Sequence, residues 1–130
     1  MHKGVRMALR VVLLLATLLE GVGMAGSGSA KFYAPIWRTV FGIWGYPMWF
    51  MYGIGALETI GGASLFVPKA ASWAAMVLMV IMAGAVVTTG VHPIPEHRFT
   101  WGAPAAHLAV LSVIALLRWK ERWRAGSTRP

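Results

Sequence analysis

Four runs of apolar residues divide the chain, at about Met7–Met24, Pro47–Phe66, Ala70–Val91 and Pro104–Trp119. Each is close to the ~20 residues that cross a hydrocarbon core, so each predicts a membrane-spanning helix. The last is the shortest, and Trp101 and Trp119 at its ends fit interfacial anchors that tolerate a thin match to the bilayer. Only Val67-Pro68-Lys69 joins the second and third runs, too little chain to reach across anything. Those two runs are therefore expected to form an antiparallel hairpin. His92 to Pro104 carries three prolines and is expected to be an ordered connection rather than helix.

Between the first and second runs the pattern changes twice. GMAGSGSAKF is a Gly/Ser/Ala stretch expected to hold no packed structure by itself. YAPIWRTVFGIWGYP follows, rich in aromatics and bounded by prolines, and predicts a segment at the membrane interface with a short half-inserted helix over Ile36–Ile43. Trp37, Phe41, Trp44 and Trp49 would supply its aromatic belt. The architecture expected is all-α: a transmembrane four-helix bundle, one domain over residues 1–130, with an interfacial aromatic-rich segment between its first two spans and a basic tail over 120–130.

Composition agrees with that reading. With 58% hydrophobic and 12% charged residues, a soluble domain of this size would carry large apolar surface patches. The net charge of +8 follows the positive-inside rule rather than forming a nucleic-acid stripe. Lys3, Arg6 and Arg10 precede the first span, Lys69 sits in the hairpin turn, and Arg118, Lys120, Arg122, Arg124 and Arg129 follow the fourth. The other two loops hold only Lys31, Arg38 and Arg98, so both termini are expected in the cytoplasm of a multi-pass cell-membrane protein. No nucleic-acid partner is expected, whereas the tail RWKERWRAGSTRP is suited to touch anionic lipid. The N-terminal pattern of basic residues, VVLLLATLL and a small-residue stretch ending at Ala30 also fits a signal peptide, but it is read here as an uncleaved first span. The chain has no cysteine, which excludes disulfides, thiol nucleophiles and cysteine-ligated clusters from its own side chains.

Glu58 is the sharpest chemical feature. A carboxylate at bilayer depth costs about 2.5–3.5 kcal/mol on insertion scales and normally faces a bundle interior or a wet cavity. Gly55, Glu58, Thr59 and Gly62 share one helix face, where the glycines permit a close helix neighbour. No cation is evident at its depth, and a structural clamp and a functional acid are both open. Glu20 lies in the outer part of the first span and is expected to snorkel outward through Gly21–Ser29. The alternative is a contact with His107, which begins the fourth span at the depth where Glu20 ends the first, making a proton-sharing pair. Glu58, Glu20 and His107 are thus the candidate catalytic residues.

His92, His97 and His107, near one surface with Glu96, are weak metal candidates, because neither HxxxH nor HExxH occurs. No cofactor is predicted by motif; quinone and haem are the two that the tryptophans and histidines leave open, with Trp44, Tyr46, Trp49 and Trp101 as candidate ligand-binding residues. Walker and GxSxG patterns are missing.

The run WGYPMWFMYGIGALETIGGASLFVPKAASWAAMVLMVIMAGAVVTTGVH, Trp44 to His92, resembles the DoxX-like family of small four-helix membrane proteins. The shared features are a GYP-type start, an IGALE-type element, a proline turn and a small-residue third helix with a GA-x-x-T element near its end. By that resemblance Gly45, Tyr46, Pro47, Gly55, Glu58, Gly62 and Pro68 are the family positions. The chain departs from the family at Thr89, where relatives often place His after Thr, and at Glu20, where many have a glycine- and lysine-containing end to the first span. The resemblance implies a membrane subunit linked to oxidoreductases or an assembly partner of a membrane complex. Expected partners are the lipid bilayer and other membrane proteins or further copies of the chain. The leading expectation is an accessory or structural subunit; the rival is a quinone-handling or proton-relaying oxidoreductase subunit that uses Glu58.

Overall fold

The computed structural model describes residues 2–97 and 99–127, and the described residues are helical with no strand. Five α-helices follow in order: α1 Lys3–Ala30, α2 Pro35–Trp44, α3 Met48–Ser64, α4 Ala71–Val91 and α5 Gly102–Ser127. A short 3₁₀ turn, Pro95–His97, interrupts the connection between α4 and α5. Arg98 and Arg129, counted above among the topological charges, lie outside the described residues, as does the side chain of Arg124.

Among the described residues α1, α4 and α5 are long and apolar enough to cross a membrane. α3 has 17 residues, about 25 Å of helix, somewhat less than a ~30 Å hydrocarbon core. The four long helices pack in a ring: α1 touches α3 and α5, and α4 touches the same two neighbours from the other side. Leu13 of α1, Leu78 of α4, Leu111 and Ile114 of α5 and Leu65, the C-cap of α3, are buried where the ring closes. Outward-facing leucines and valines such as Leu14, Leu18, Val80 and Leu116 are exposed, as expected of surface in contact with lipid.

α2 is the short helix anticipated over Ile36–Ile43. Pro35 starts it, and Gly45, at φ 80°, ends it in the left-handed conformation that glycine adopts without strain. Tyr46 and Pro47 then turn the chain into α3, with Pro47 as N-cap.

Two expectations are corrected. The Gly/Ser/Ala stretch after Met24 is helical to Ala30 rather than unstructured, because the glycine side of α1 finds a partner. A Cβ on Gly28 would lie 2.5 Å from the Gly55 carbonyl oxygen, and one on Gly62 2.6 Å from the Ala25 nitrogen, so the two backbones touch. Packing thus supplies the stability that intrinsic propensity lacks. The fourth span, expected to end at Trp119, continues as helix through Ser127, aided by an Arg118–Glu121 pair at 3.0 Å one turn apart.

Candidate functional site

Because α1 ends at Ala30 while α3 starts at Met48 on the same side, the end of α1 meets α3 partway along its length, about 15 Å from the start of α3 at Glu58. Lys31, the C-cap of α1, is therefore not in an outer loop but inside the protein. Its Nζ donates to Glu58 Oε2 at 2.7 Å, and each side chain is only 3% exposed. The ammonium also donates to Ser27 Oγ at 3.3 Å and sits 3.8 Å from the centre of the Trp37 ring. A cation at a helix C-terminus faces the negative end of the macrodipole, and an indole face is the favoured aromatic partner for an ammonium. The acid without an evident cation thus has one, supplied by the turn out of α1 and covered by α2.

Thr59, next to Glu58, donates its hydroxyl to the Gly55 carbonyl at 2.7 Å and lies 3.5 Å from Ser29 Oγ. This polar seam bridges α1 and α3 at the level where their glycines touch. Glu58 lines neither the hollow between α1 and α5 at Arg6, Arg10 and Lys120 nor the shallow one on α1 at Leu15, Leu18 and Leu19.

A second pair joins α1 to α5. His107 Nδ1 is 2.9 Å from both carboxylate oxygens of Glu20. Glu20 is 1% exposed, so its expected snorkelling is corrected, while the His107 side chain remains 36% exposed at the rim. An ionised carboxylate only accepts, so against it Nδ1–H is the donor between the two oxygens. If this contact links the helices, a double-mutant cycle of Glu20→Gln and His107→Gln should show a coupling of at least about 0.5 kcal/mol in detergent unfolding. Additive losses would reduce the pair to coincidence.

The aromatic residues form a cap over this end of the protein. Phe41 contacts Trp37, Trp44, Tyr46 and Phe50, and Phe99 reaches in from the α4–α5 connection to within 5.1 Å of Trp37 and 5.8 Å of Trp44, ring centre to ring centre. Polar handles fasten it: Trp44 Nε1 donates to the His92 carbonyl at 2.9 Å, and Tyr46 and Thr88 share a hydroxyl contact at 2.8 Å. Of the candidate ligand-binding residues, Trp44 and Tyr46 belong to this cap. Among the described residues Trp49 touches it only through Phe50, and Trp101 makes no aromatic contact. His92 offers its backbone, its side chain and that of His97 are exposed, and no group of three or more potential metal ligands occurs among the described residues.

Apolar helices of membrane length around a buried ion pair define the class of the protein as helical and membrane-embedded. A family model described as the DoxX-like family matches residues 8–115, and the chain belongs to that family. The match takes in Glu20, Lys31, Glu58 and His107. No curated protein and no solved structure matches the chain.

Lys31, Ser27 and the contact of Trp37 with the ammonium are the parts of the site that sequence reasoning missed. A signal existed: Leu13, Thr17, Glu20, Met24, Gly28 and Lys31 follow one another at helical spacings of three and four, so the buried stripe of α1 runs directly into the lysine.

Proposed function

We propose that the protein is an accessory or structural subunit of a membrane complex, redox-linked through its partner, in which Lys31–Glu58 is an interior clamp rather than a catalytic acid. On this reading α1, α3, α4 and α5 all cross the cell membrane as a transmembrane four-helix bundle. α2 completes the thickness that α3 lacks, and both termini are cytoplasmic by the distribution of basic residues. The observation that carries the proposal is the closure around Glu58: a 2.7 Å ion pair, both partners buried, beneath the Trp37 ring. A carboxylate that relays protons or approaches a quinone needs an open path or a pocket, and this one is bonded and covered.

A second reading, a quinone-handling or proton-relaying oxidoreductase subunit, is favoured by one observation, the half-open Glu20–His107 pair. It shifts the chemistry from Glu58 to the rim. Purification in mild detergent, with mass spectrometry of everything retained, tests both. A stoichiometric membrane oxidoreductase bound to the chain is the expected result. Retained quinone or haem without a protein partner would favour the second reading, and a chain that carries neither would count against both.

A further inference from the structure

The end of the protein that carries both termini holds a feature that neither reading uses. Arg6 and Arg10, one turn apart on α1, and Lys120 on α5 converge on a cleft of about 330 Å³ between the two helices. Leu9, Leu13 and Leu117 line the same cleft, so cationic groups and apolar side chains share its walls. Glu121 is the one acid there, and its carboxylate is held by Arg118 at 3.0 Å. Arg6, Arg10 and Lys120 make no salt bridge among the described residues, and α1 has no acid in its first turn to offset the positive end of its dipole. The surplus of positive charge is local and unpaired.

We propose that this cleft binds the phosphodiester headgroup of an anionic phospholipid, with Arg6, Arg10 and Lys120 on the phosphate and the upper acyl chain against Leu9, Leu13 and Leu117. A basic pocket between membrane helices at the headgroup level is the setting in which such lipids are held. Arginine suits phosphate because its planar fork gives two parallel donors. The apolar wall distinguishes a lipid from a free phosphate, since a soluble anion gains nothing from three leucines. Arg6, Leu117, Lys120 and Glu121 lie outside the residues that the family model matches, so membership of the family does not imply this cleft.

The test uses the full chain in mixed vesicles of phosphatidylcholine and phosphatidylglycerol, extracted gently and read by native mass spectrometry. The expected result is a bound phosphatidylglycerol retained well above its share of the vesicle. Arg10→Gln and Lys120→Gln should each lower that preference about fivefold, the loss of roughly 1 kcal/mol per juxtamembrane cation. Single substitutions leave enough basic residues at this end to keep the insertion topology. Lys69→Gln, a cation of the α3–α4 turn that does not line the cleft, should leave the preference within twofold. Equal retention of both lipids, equal loss in all three variants, or the same thermal stabilisation by inorganic phosphate as by phosphatidylglycerol would each overturn the proposal.

Discussion

Glu58→Ala should cost the folded protein about 3–5 kcal/mol, the range for removing one member of a buried ion pair. The loss comes less from the bond itself than from what remains. Lys31 would be left as an ammonium with 3% exposure, holding only the Ser27 oxygens and the Trp37 ring. Lys31→Ala should be as damaging for the mirrored reason, since it strands the carboxylate. The decisive variant is the double replacement of Lys31→Met with Glu58→Leu, which removes both charges and keeps comparable volume. If the pair is a clamp, stability should return to within about 1 kcal/mol of the parent, because well-packed apolar residues often replace a buried pair without loss. Equilibrium unfolding in mild detergent measures all four proteins. A single Glu58→Ala variant that unfolds within 0.5 kcal/mol of the parent, a difference ordinary for surface changes, would sink the clamp. The double variant also separates a clamp from a proton-handling Glu58. An accessory subunit with restored stability should still bind its partner, whereas a proton-handling Glu58 would leave a stable chain whose complex is inactive.

The interior position of Glu58 was legible in the sequence because helical periodicity reports which face a residue shares, and Gly55, Thr59 and Gly62 share its face. Its partner was not legible, and the reason is where α1 was expected to stop. Glycine and serine are poor helix formers in isolation, so local propensity ends the helix near Met24 and leaves Lys31 in a loop. In the folded chain Gly21 and Gly28 lie against α3, and the burial they permit extends the helix until Lys31 reaches Glu58. Propensity is a local quantity, while the close approach of two backbones is a tertiary one. The Glu20–His107 contact was open to sequence reasoning because both residues sit near the same end of long antiparallel spans, where counting residues gives depth. The aromatic cap was anticipated in composition but not in connection, since nothing local in HPIPEHRF signals that Phe99 packs on Trp37 and Trp44.

Gly28→Leu is expected to disrupt the fold about as severely as loss of the ion pair, and Gly28→Ala to destabilise it by about 1–3 kcal/mol, the usual cost of overpacking a filled site. A Cβ at this position would meet the Gly55 carbonyl oxygen at 2.5 Å, the Thr59 nitrogen at 2.6 Å and the Thr59 hydroxyl at 2.7 Å. Two of those atoms are backbone, so no side-chain rotation relieves the clash; α1 and α3 must move apart. Separation at this level also pulls on the Lys31–Glu58 contact, one turn further along α1, so the two defects should reinforce each other rather than add. Gly23 and Gly26, in the same helix, provide the comparison, because a Cβ at either meets nothing within 4 Å. Alanine there should be neutral or should stabilise by up to about 1 kcal/mol through helix propensity alone. Unfolding of the three alanine variants side by side therefore distinguishes contact from composition. If Gly28→Ala behaved like Gly23→Ala, the close approach of α1 to α3 would be wrong, and with it the geometry that brings Lys31 to Glu58.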